Sequence, residues 1–461
     1  MRGRGAITIA SQLFVCPGSA FHAAPGAICL GVPVPPRTSR VRALRRWRAS
    51  AACRVTMRGD LDQDSTPLVD ALAEAAGNVR SPMFYPGHKM GSGAPVRFVD
   101  AILGGKLDAL RHDLPELPEL DNLFAPEGPI RDAEQLAADA FGAAKTWLLA
   151  NGSTCGVLAS IIACVQWHNS RPPPLGNGNS SPLLRRSVVI LPRDAHKSAV
   201  HALVLSGASP CFLPPLRHRE SGVSLGIGVA ALEAALSEHG DEVAAVFVVS
   251  PTYEGACADL ESVANFCHAA GVPLVVDEAH GAHLAFLGTE VGGGDSPRAA
   301  LSCGADLVVQ SAHKTLGSLT QSALLHLGNG ECLASLPRTR GLKPHRVLTA
   351  KDGDFSAERA VSDALATVQS SSPSYLLLAS LDAARWSLAG AEGDGRLRLQ
   401  EAVRIAGRVR EEMFTVQGIN VLDLAGEAGR ATGFVGTDPL RLTVSFEGGL
   451  GGYEADEMLI E

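Results

Sequence analysis

The sequence predicts an α/β protein built on a mostly parallel sheet and followed by a smaller α/β domain. Two observations carry this reading. From Thr146 onward, unbroken apolar runs recur, each followed by a polar elbow and a helical stretch: Trp147-Leu148-Leu149-Ala150, Val188-Val189-Ile190-Leu191, the run from Val243 to Val249, Pro273-Leu274-Val275-Val276 and Ala305-Asp306-Leu307-Val308-Val309. A strand that is apolar at nearly every position is buried on both faces, and helices between such strands give parallel crossovers. After about residue 355 the rhythm stops and two long helical patterns follow, over 374–388 and 396–414.

The chain has 461 residues, 46% hydrophobic and 19% charged, enough for two or three globular domains. No apolar run reaches the roughly 18 residues a membrane helix needs, so no membrane partner is expected. Charge is uneven. Residues 1–58 hold ten arginines and no acid, which leaves 30 basic against 48 acidic residues in the rest. An acidic body argues against a nucleic-acid partner. The acid-free, arginine-rich start reads as an organelle transit peptide over residues 1–58, cut around 49–56. Its length and its hydroxyl and proline content favour a plastid over the mitochondrion or cytoplasm. Ten cysteines, three of them in the leader (Cys16, Cys29, Cys53), form no Cys-x-x-Cys pair and read as reduced and mostly buried.

The body opens with a helix behind Ser65-Thr66-Pro67, proline being suited to a first helical turn. A glycine-punctuated loop, Pro86-Gly87-His88-Lys89, follows. Pro115 and Pro118 then exclude a regular helix from the acidic stretch between Arg111 and Asp121. Pro129 starts the next helix. The insert 169–181, rich in Asn, Gly, Pro and Ser, reads as a surface loop. Ser322-Ala323-Leu324-Leu325-His326-Leu327 comes too soon after Lys314 for a crossover helix, so it reads as an antiparallel neighbour.

The elbows carry the candidate chemistry, because ligands of open α/β sheets sit outside the carboxyl ends of the strands. Asn151-Gly152-Ser153-Thr154 opens a helix whose free amides and hydroxyls suit a phosphate, though such residues also serve as plain caps. His196 follows the second strand, where a flat imidazole would stack on a cofactor ring or simply bond the backbone. Asp277 ends an apolar strand, and a buried carboxylate needs a partner such as a pyridinium nitrogen. Ala279 is small enough to admit a flat ring. Asp277-Glu278-Ala279-His280 also spells a Walker-B acid box, but the GxxxxGK[ST] loop which that reading requires is absent. A metal site on His280 and His283 lacks a clear third ligand, so no metal is expected. Lys314, in Ser311-Ala312-His313-Lys314-Thr315, is placed either to form a Schiff base with an aldehyde cofactor or to lie in a polar surface loop.

Ser311-x-His313-Lys314 followed by Gly317-Ser318-x-Thr320-Gln321-Ser322-Ala323 resembles the pyridoxal-phosphate attachment signature of the bacterial-type Orn/Lys/Arg decarboxylase family. The likeness runs from about residue 64 to the end. It takes in Pro86-Gly87-His88-Lys89, residues 121–130, Asn151 to Thr154, Ala195-His196-Lys197-Ser198, Ser250-Pro251-Thr252-Tyr253, Asp277 to His283 and Ser372-Pro373-Ser374-Tyr375. It implies an aspartate aminotransferase-like (fold type I) large domain over 59–355 and a C-terminal small domain over 356–461 that is cut short at Glu461. It implies pyridoxal 5'-phosphate held by Lys314, with Asp277 on the ring nitrogen and His196 on the ring face. Ser153, Thr154, Ser311 and His313 then hold the phosphate, and Ala279 and His280 lie beside the ring. Lys314, His196 and Asp277 are the catalytic candidates. The form with His280, in place of an aromatic residue, resembles the shorter branch that lacks the amino-terminal wing.

The implied function is decarboxylation of arginine, lysine or ornithine, releasing carbon dioxide and a polyamine precursor, in a homodimer or higher homo-oligomer. Asp113, Glu116, Glu119 and Asp121 form an acidic loop that would receive the substrate's distal cation or simply be solvated. Another fold-type-I enzyme, an aminotransferase or lyase, and a catalytically silent interaction protein are the alternatives.

Overall fold

The computed structural model describes residues 6–9, 62–79, 81–170, 186–219, 221–287, 297–329, 356–424 and 434–446. They belong to one compact unit, residues 1–12 with 62–461; the second unit, 13–61, lies outside the described residues. Most of the expected insert and the helical pattern after Tyr453 also lie outside them.

Seven strands form the main sheet: β2 (Ala143–Leu149), β3 (Val188–Pro192), β4 (Ser209–Leu213), β7 (Val243–Val249), β9 (Leu274–Asp277), β10 (Leu307–Gln310) and β11 (Ala323–Gly328). Their order is β2-β11-β10-β9-β7-β3-β4. The pairs β10–β9, β9–β7, β7–β3 and β3–β4 are parallel. β11 runs antiparallel to both β10 and β2, as the short connection requires. The unbroken apolar runs are explained by the two faces. Leu148, Ile190, Val246, Val248, Val276 and Val308 point into one apolar layer, while Leu149, Val189, Leu191, Phe247, Val275 and Val309 point into the other. Alternate residues serve opposite faces, so a strand covered on both sides has no polar position to spare.

Helices cover both layers. One face carries α5 (Gly152–Ser170), α6 (Lys197–Ser206) and α10 (Ala357–Val368); the other carries α1 (Pro67–Asn78), α4 (Pro129–Phe141), α7 (Val229–His239), α8 (Leu260–Ala269), α11 (Tyr375–Ala389) and α12 (Gly395–Phe414). Both proline-started helices, α1 and α4, begin where the sequence places them. The first turn of α1 is capped from another helix: Asp382 of α11 accepts from the Leu68 amide at 3.0 Å and also bonds Arg385 at 2.7 Å. Between α1 and α4 lie the short helices α2 (Val96–Leu103) and α3 (Asp108–Arg111). No residue of α2 is buried, and Val96, Phe98 and Ile102 are exposed.

A second, three-stranded sheet joins β1 (Ala6–Ile9), β14 (Leu442–Phe446) and β12 (Ile419–Val421), so a strand from within the expected leader pairs with the C-terminal segment. β13 (Phe434–Thr437) pairs with β8 (Ala256–Ala258), and β5 (Leu216–Arg217) with β6 (Ser224–Gly226). The first of these pairings brings the end of the chain to the edge of the main sheet where the elbows lie. No helix among the described residues is long and apolar enough to cross a membrane.

α5 lies unusually close to the sheet. A Cβ on Gly156 would stand 2.8 Å from Leu149 Cδ1 and from Val309 Cγ1, both immobile core atoms. Gly156→Val is expected to lower stability by about 1–3 kcal/mol through overpacking. Denaturant unfolding with an unchanged m-value would show it, and a wild-type midpoint would contradict this packing.

Candidate active site

The carboxyl ends of β2, β3, β7, β9 and β10 share one edge, and each delivers its elbow there. β10 ends at Gln310, and Ser311 leads into the single turn α9 (Ala312–Thr315) that carries Lys314. The turn is braced from below. The His313 ring bonds the Ser322 carbonyl through Nδ1 at 2.9 Å, and the Ser318 and Ser322 hydroxyls meet at 2.5 Å. Lys314 is half-buried, with Nζ 3.1 Å from Nε2 of His280. Burial, together with the nearby Arg441 cation, holds its amine below the ordinary lysine range, against the pull of Asp277.

Asp277 ends β9 and is 5% exposed. Its Oδ1 accepts from the Ala279 amide at 3.1 Å. Burial raises its carboxyl above the usual range, opposed by that amide and by the charges of Lys314 and His196. Ala279 is itself buried. His196 caps α6: its Nδ1 accepts from the Ser198 amide at 3.3 Å, and its ring is exposed toward the edge. Ser311 Oγ donates to Ser153 Oγ at 2.8 Å, which joins β10 to the first turn of α5, where Thr154 is exposed. The α5 elbow is fixed from α10 and the segment after it. Gln369 Oε1 accepts from the Ala150 amide and Asn151 Oδ1 accepts from the Ser370 amide, both at 2.9 Å.

His280 is the centre of the site. Arg441 Nη2 donates to its Nδ1, Lys314 lies at its Nε2, and the Tyr253 ring stands edge-on at 5.6 Å. Burial, then the charges of Lys314 and Arg441, push its pKa down to about 3, so the ring is neutral. The Arg441 guanidinium lies 5.8 Å from the Tyr253 ring, and its Nη1 is a buried donor without a partner among the described residues. Gly255, at φ +95°, lets this arginine in: a Cβ there would stand 2.6 Å from Arg441 Cβ.

Arg441 was not among the residues singled out by sequence. Nothing in Asp438-Pro439-Leu440-Arg441 announces that it reaches the site; only the β13–β8 pairing brings it there. The same turn is latched by Asp438, whose Oδ1 meets His283 Nε2 at 2.9 Å and whose amide donates to the Gly255 carbonyl at 2.8 Å. His283 and His280 are thus engaged with protein partners, and among the described residues no group of three or more metal-ligating side chains gathers. Glu278, the second acid of the box, turns away from the edge. It accepts from Gln310 Nε2 at 2.7 Å and from the Ala300 amide at 2.8 Å.

In the acidic loop, two carboxylates are committed to the fold. Asp121 accepts from the Glu127, Gly128 and Ile130 amides at 2.9, 2.7 and 3.2 Å, opening α4, and Asp113 bonds His88 at 3.0 Å. Glu116 and Glu119 are exposed.

These groups fit pyridoxal phosphate. A buried carboxyl with one amide donor is completed by a protonated ring nitrogen, a depressed lysine amine suits an aldehyde, and hydroxyls at a helix start suit a phosphate. Fold and site together define a fold-type-I pyridoxal-phosphate enzyme. The sequence profile described as Orn/Lys/Arg decarboxylase, major domain, matches residues 66–428. Arginine decarboxylase of Bacillus subtilis is 34% identical over 402 residues, 87% of this chain and 70% of the relative. A lysine decarboxylase of Pseudomonas aeruginosa is 28% identical over 72% of this chain and 41% of its own length. Among solved structures, the constitutive lysine decarboxylase of Escherichia coli matches with a TM-score of 0.57 at 22% identity, over 78% of this chain and 46% of that one. The chain therefore spans about half of that larger protein. It belongs to the Orn/Lys/Arg decarboxylase family, and it is a pyridoxal-phosphate-dependent amino-acid decarboxylase.

His283 holds Asp438 below the usual carboxylate range. A depressed carboxyl stabilises the fold above its unfolded pKa and loses that contribution as pH falls through the folded one. Asp438→Asn is expected to cost about 3–5 kcal/mol at pH 7, with the penalty shrinking below about pH 4. Unfolding curves at both pH values test this; a penalty independent of pH would remove the ion pair from the account.

Proposed function

We propose that the substrate is arginine and that the site removes its α-carboxylate as carbon dioxide. The observation that carries the reaction is the Lys314 amine set between a neutral imidazole and the buried Asp277 carboxyl. Support for arginine comes from the relatives: four called arginine decarboxylase are 31–34% identical over 87% of this chain, against 28% over 72% for a lysine decarboxylase, although a biodegradative arginine decarboxylase is 24% identical over 57%. When bound, pyridoxal phosphate supplies an electron-poor ring that takes up the electron pair left by the departing carboxylate. Lys314 would hold the cofactor's aldehyde, Asp277 would pair with its ring nitrogen, and His196 would cover the open ring face. Ser153, Thr154, Ser311 and the first amides of α5 receive the phosphate, with His313 bracing the turn. Lys314 or His196 returns a proton to the α-carbon.

Three further readings are proposals of the same kind. The exposed apolar side chains of Met83, Tyr85, Val96 and Ile102 support a homodimer built on the segment 83–102. Glu116 and Glu119 are the carboxylates left in the acidic loop to meet a distal cation. Residues 1–58 are proposed to direct the chain to a plastid.

Carbon dioxide release from arginine, ornithine and lysine in parallel tests the substrate. Arginine is expected to exceed the others by at least about tenfold in kcat/KM. Preference for ornithine or lysine overturns the substrate. Release of a keto acid would instead favour an aminotransferase, for which Arg441 beside Lys314 is the favouring feature. Lys314→Ala should lower turnover by at least about 10³-fold while the protein stays folded; full activity would remove Lys314 from the reaction.

A further inference from the structure

Arg441 Nη2 donates to Nδ1 of His280, and a guanidinium has no acceptor to offer. Nδ1 is therefore the bare nitrogen of the ring, and a neutral imidazole then carries its one proton on Nε2. That nitrogen lies 3.1 Å from Lys314 Nζ. An ammonium there would set donor against donor; a free amine accepts the Nε2 proton through its lone pair. We propose that Arg441 is a positioning residue that acts through His280 to hold the Lys314 amine uncharged and ready for the cofactor aldehyde. The inference rests on Lys314 being the attachment residue.

The arginine is built for such a task rather than for solvent. It is 8% exposed and donates its amide to the Asp438 carbonyl at 3.0 Å. Its own carbonyl accepts from Arg410 Nη2 at 2.9 Å. Asp438 is pinned in turn by His283, and Tyr253 packs against both the guanidinium and the His280 ring. The charged neighbourhood is mixed. Asp277 at the end of β9 favours an ammonium on Lys314, whereas Arg441 disfavours it. Around His280 stand Asp438 from the turn before β14 and His196 ahead of α6; Glu254, after β7, lies in the field of Asp194 and Arg441. The Arg441–His280 contact fixes the direction of the hydrogen bond between His280 and Lys314.

The test reads Lys314 itself. Apo-protein is mixed with pyridoxal phosphate across pH 6–10 and reduced with borohydride, and the adduct on the Lys314 peptide is quantified by mass spectrometry. Arg441→Gln is expected to move the midpoint of adduct formation up by about one pH unit, so that trapping at pH 7 slows about tenfold. Arg441→Lys, which keeps the donor and its charge, should restore most of the shift. In a His280→Ala background, Arg441→Gln should shift the midpoint by clearly less, the remainder being the direct effect of the guanidinium charge. An unchanged midpoint in Arg441→Gln overturns the proposal. So does an equal shift without His280, which would mean a direct field effect. Absence of any Lys314 adduct in the wild type instead overturns the attachment reading. Should Arg441→Gln not fold, as judged by circular dichroism, the wild type decides. Nitrogen-15 spectra of labelled histidine must show His280 protonated at Nε2 alone near pH 7; a proton on Nδ1 overturns the inference.

Discussion

A charge is hard to keep at the carboxyl edge of this sheet, and that constraint orders the site. Lys314, Asp277 and His280 all lose solvent there, and in each the uncharged form gains. Asp438 goes the other way because His283 lies 2.9 Å from it and outweighs the burial that both share, each side chain being 1% exposed. The edge thus divides into a contact that favours the Asp438 carboxylate and a set in which burial favours the uncharged form. In the proposed reaction Lys314 uses this directly, as a free amine toward an aldehyde, whereas the Asp277 carboxyl regains its charge against a cation such as a protonated ring nitrogen.

The site is completed by the far end of the chain. Gly255 has no side chain, Arg441 fills the space, and β13 pairs with β8 directly after that glycine. Asp438 then turns the backbone so that Arg441 faces His280, 161 residues back in sequence. The same turn leads into β14, whose neighbours are β1 and β12. Packing in the small sheet and electrostatics at the lysine are therefore mechanically joined, and loss of the Asp438 latch would be felt at Lys314 Nζ without touching it.

The strands were legible because a doubly covered sheet leaves few polar positions to confuse the pattern, and Gly156 kept α5 close enough to cover it. Lys314, Asp277, His196 and Ser153 were legible because each lies at or within four residues of a strand's carboxyl end, and parallel strands bring such ends to one edge. Arg441 was not, because its place depends on a pairing between short strands far apart in the chain, and β13 has no alternation strong enough to predict its partner. The acidic loop shows the opposite error. Composition counts four carboxylates, but backbone amides claim Asp121 and an imidazole claims Asp113, and only folding reveals who donates to them.

Glu278 draws the last line between the two readings of the Asp-Glu-Ala-His box. An acid serving a nucleotide would face the edge. Here it faces inward, where Gln310 bridges it to His326, and His326 Nδ1 meets the Thr146 hydroxyl at 2.8 Å. Burial pushes the His326 pKa down to about 3, so its ring is neutral and the direction of the chain is set: Thr146 donates to Nδ1, Nε2 donates to Gln310, and Gln310 donates to Glu278. This polar rib crosses β2, β11, β10 and the end of β9 inside an otherwise apolar sheet. A one-residue slip of any of these strands would turn its polar member to the opposite face and leave the others unsatisfied in the core. Glu278 follows Asp277, and Gln310 precedes Ser311. The register that the rib enforces is therefore the register that aims Asp277 and the Ser311 hydroxyl, and the box owes its glutamate to geometry rather than to chemistry.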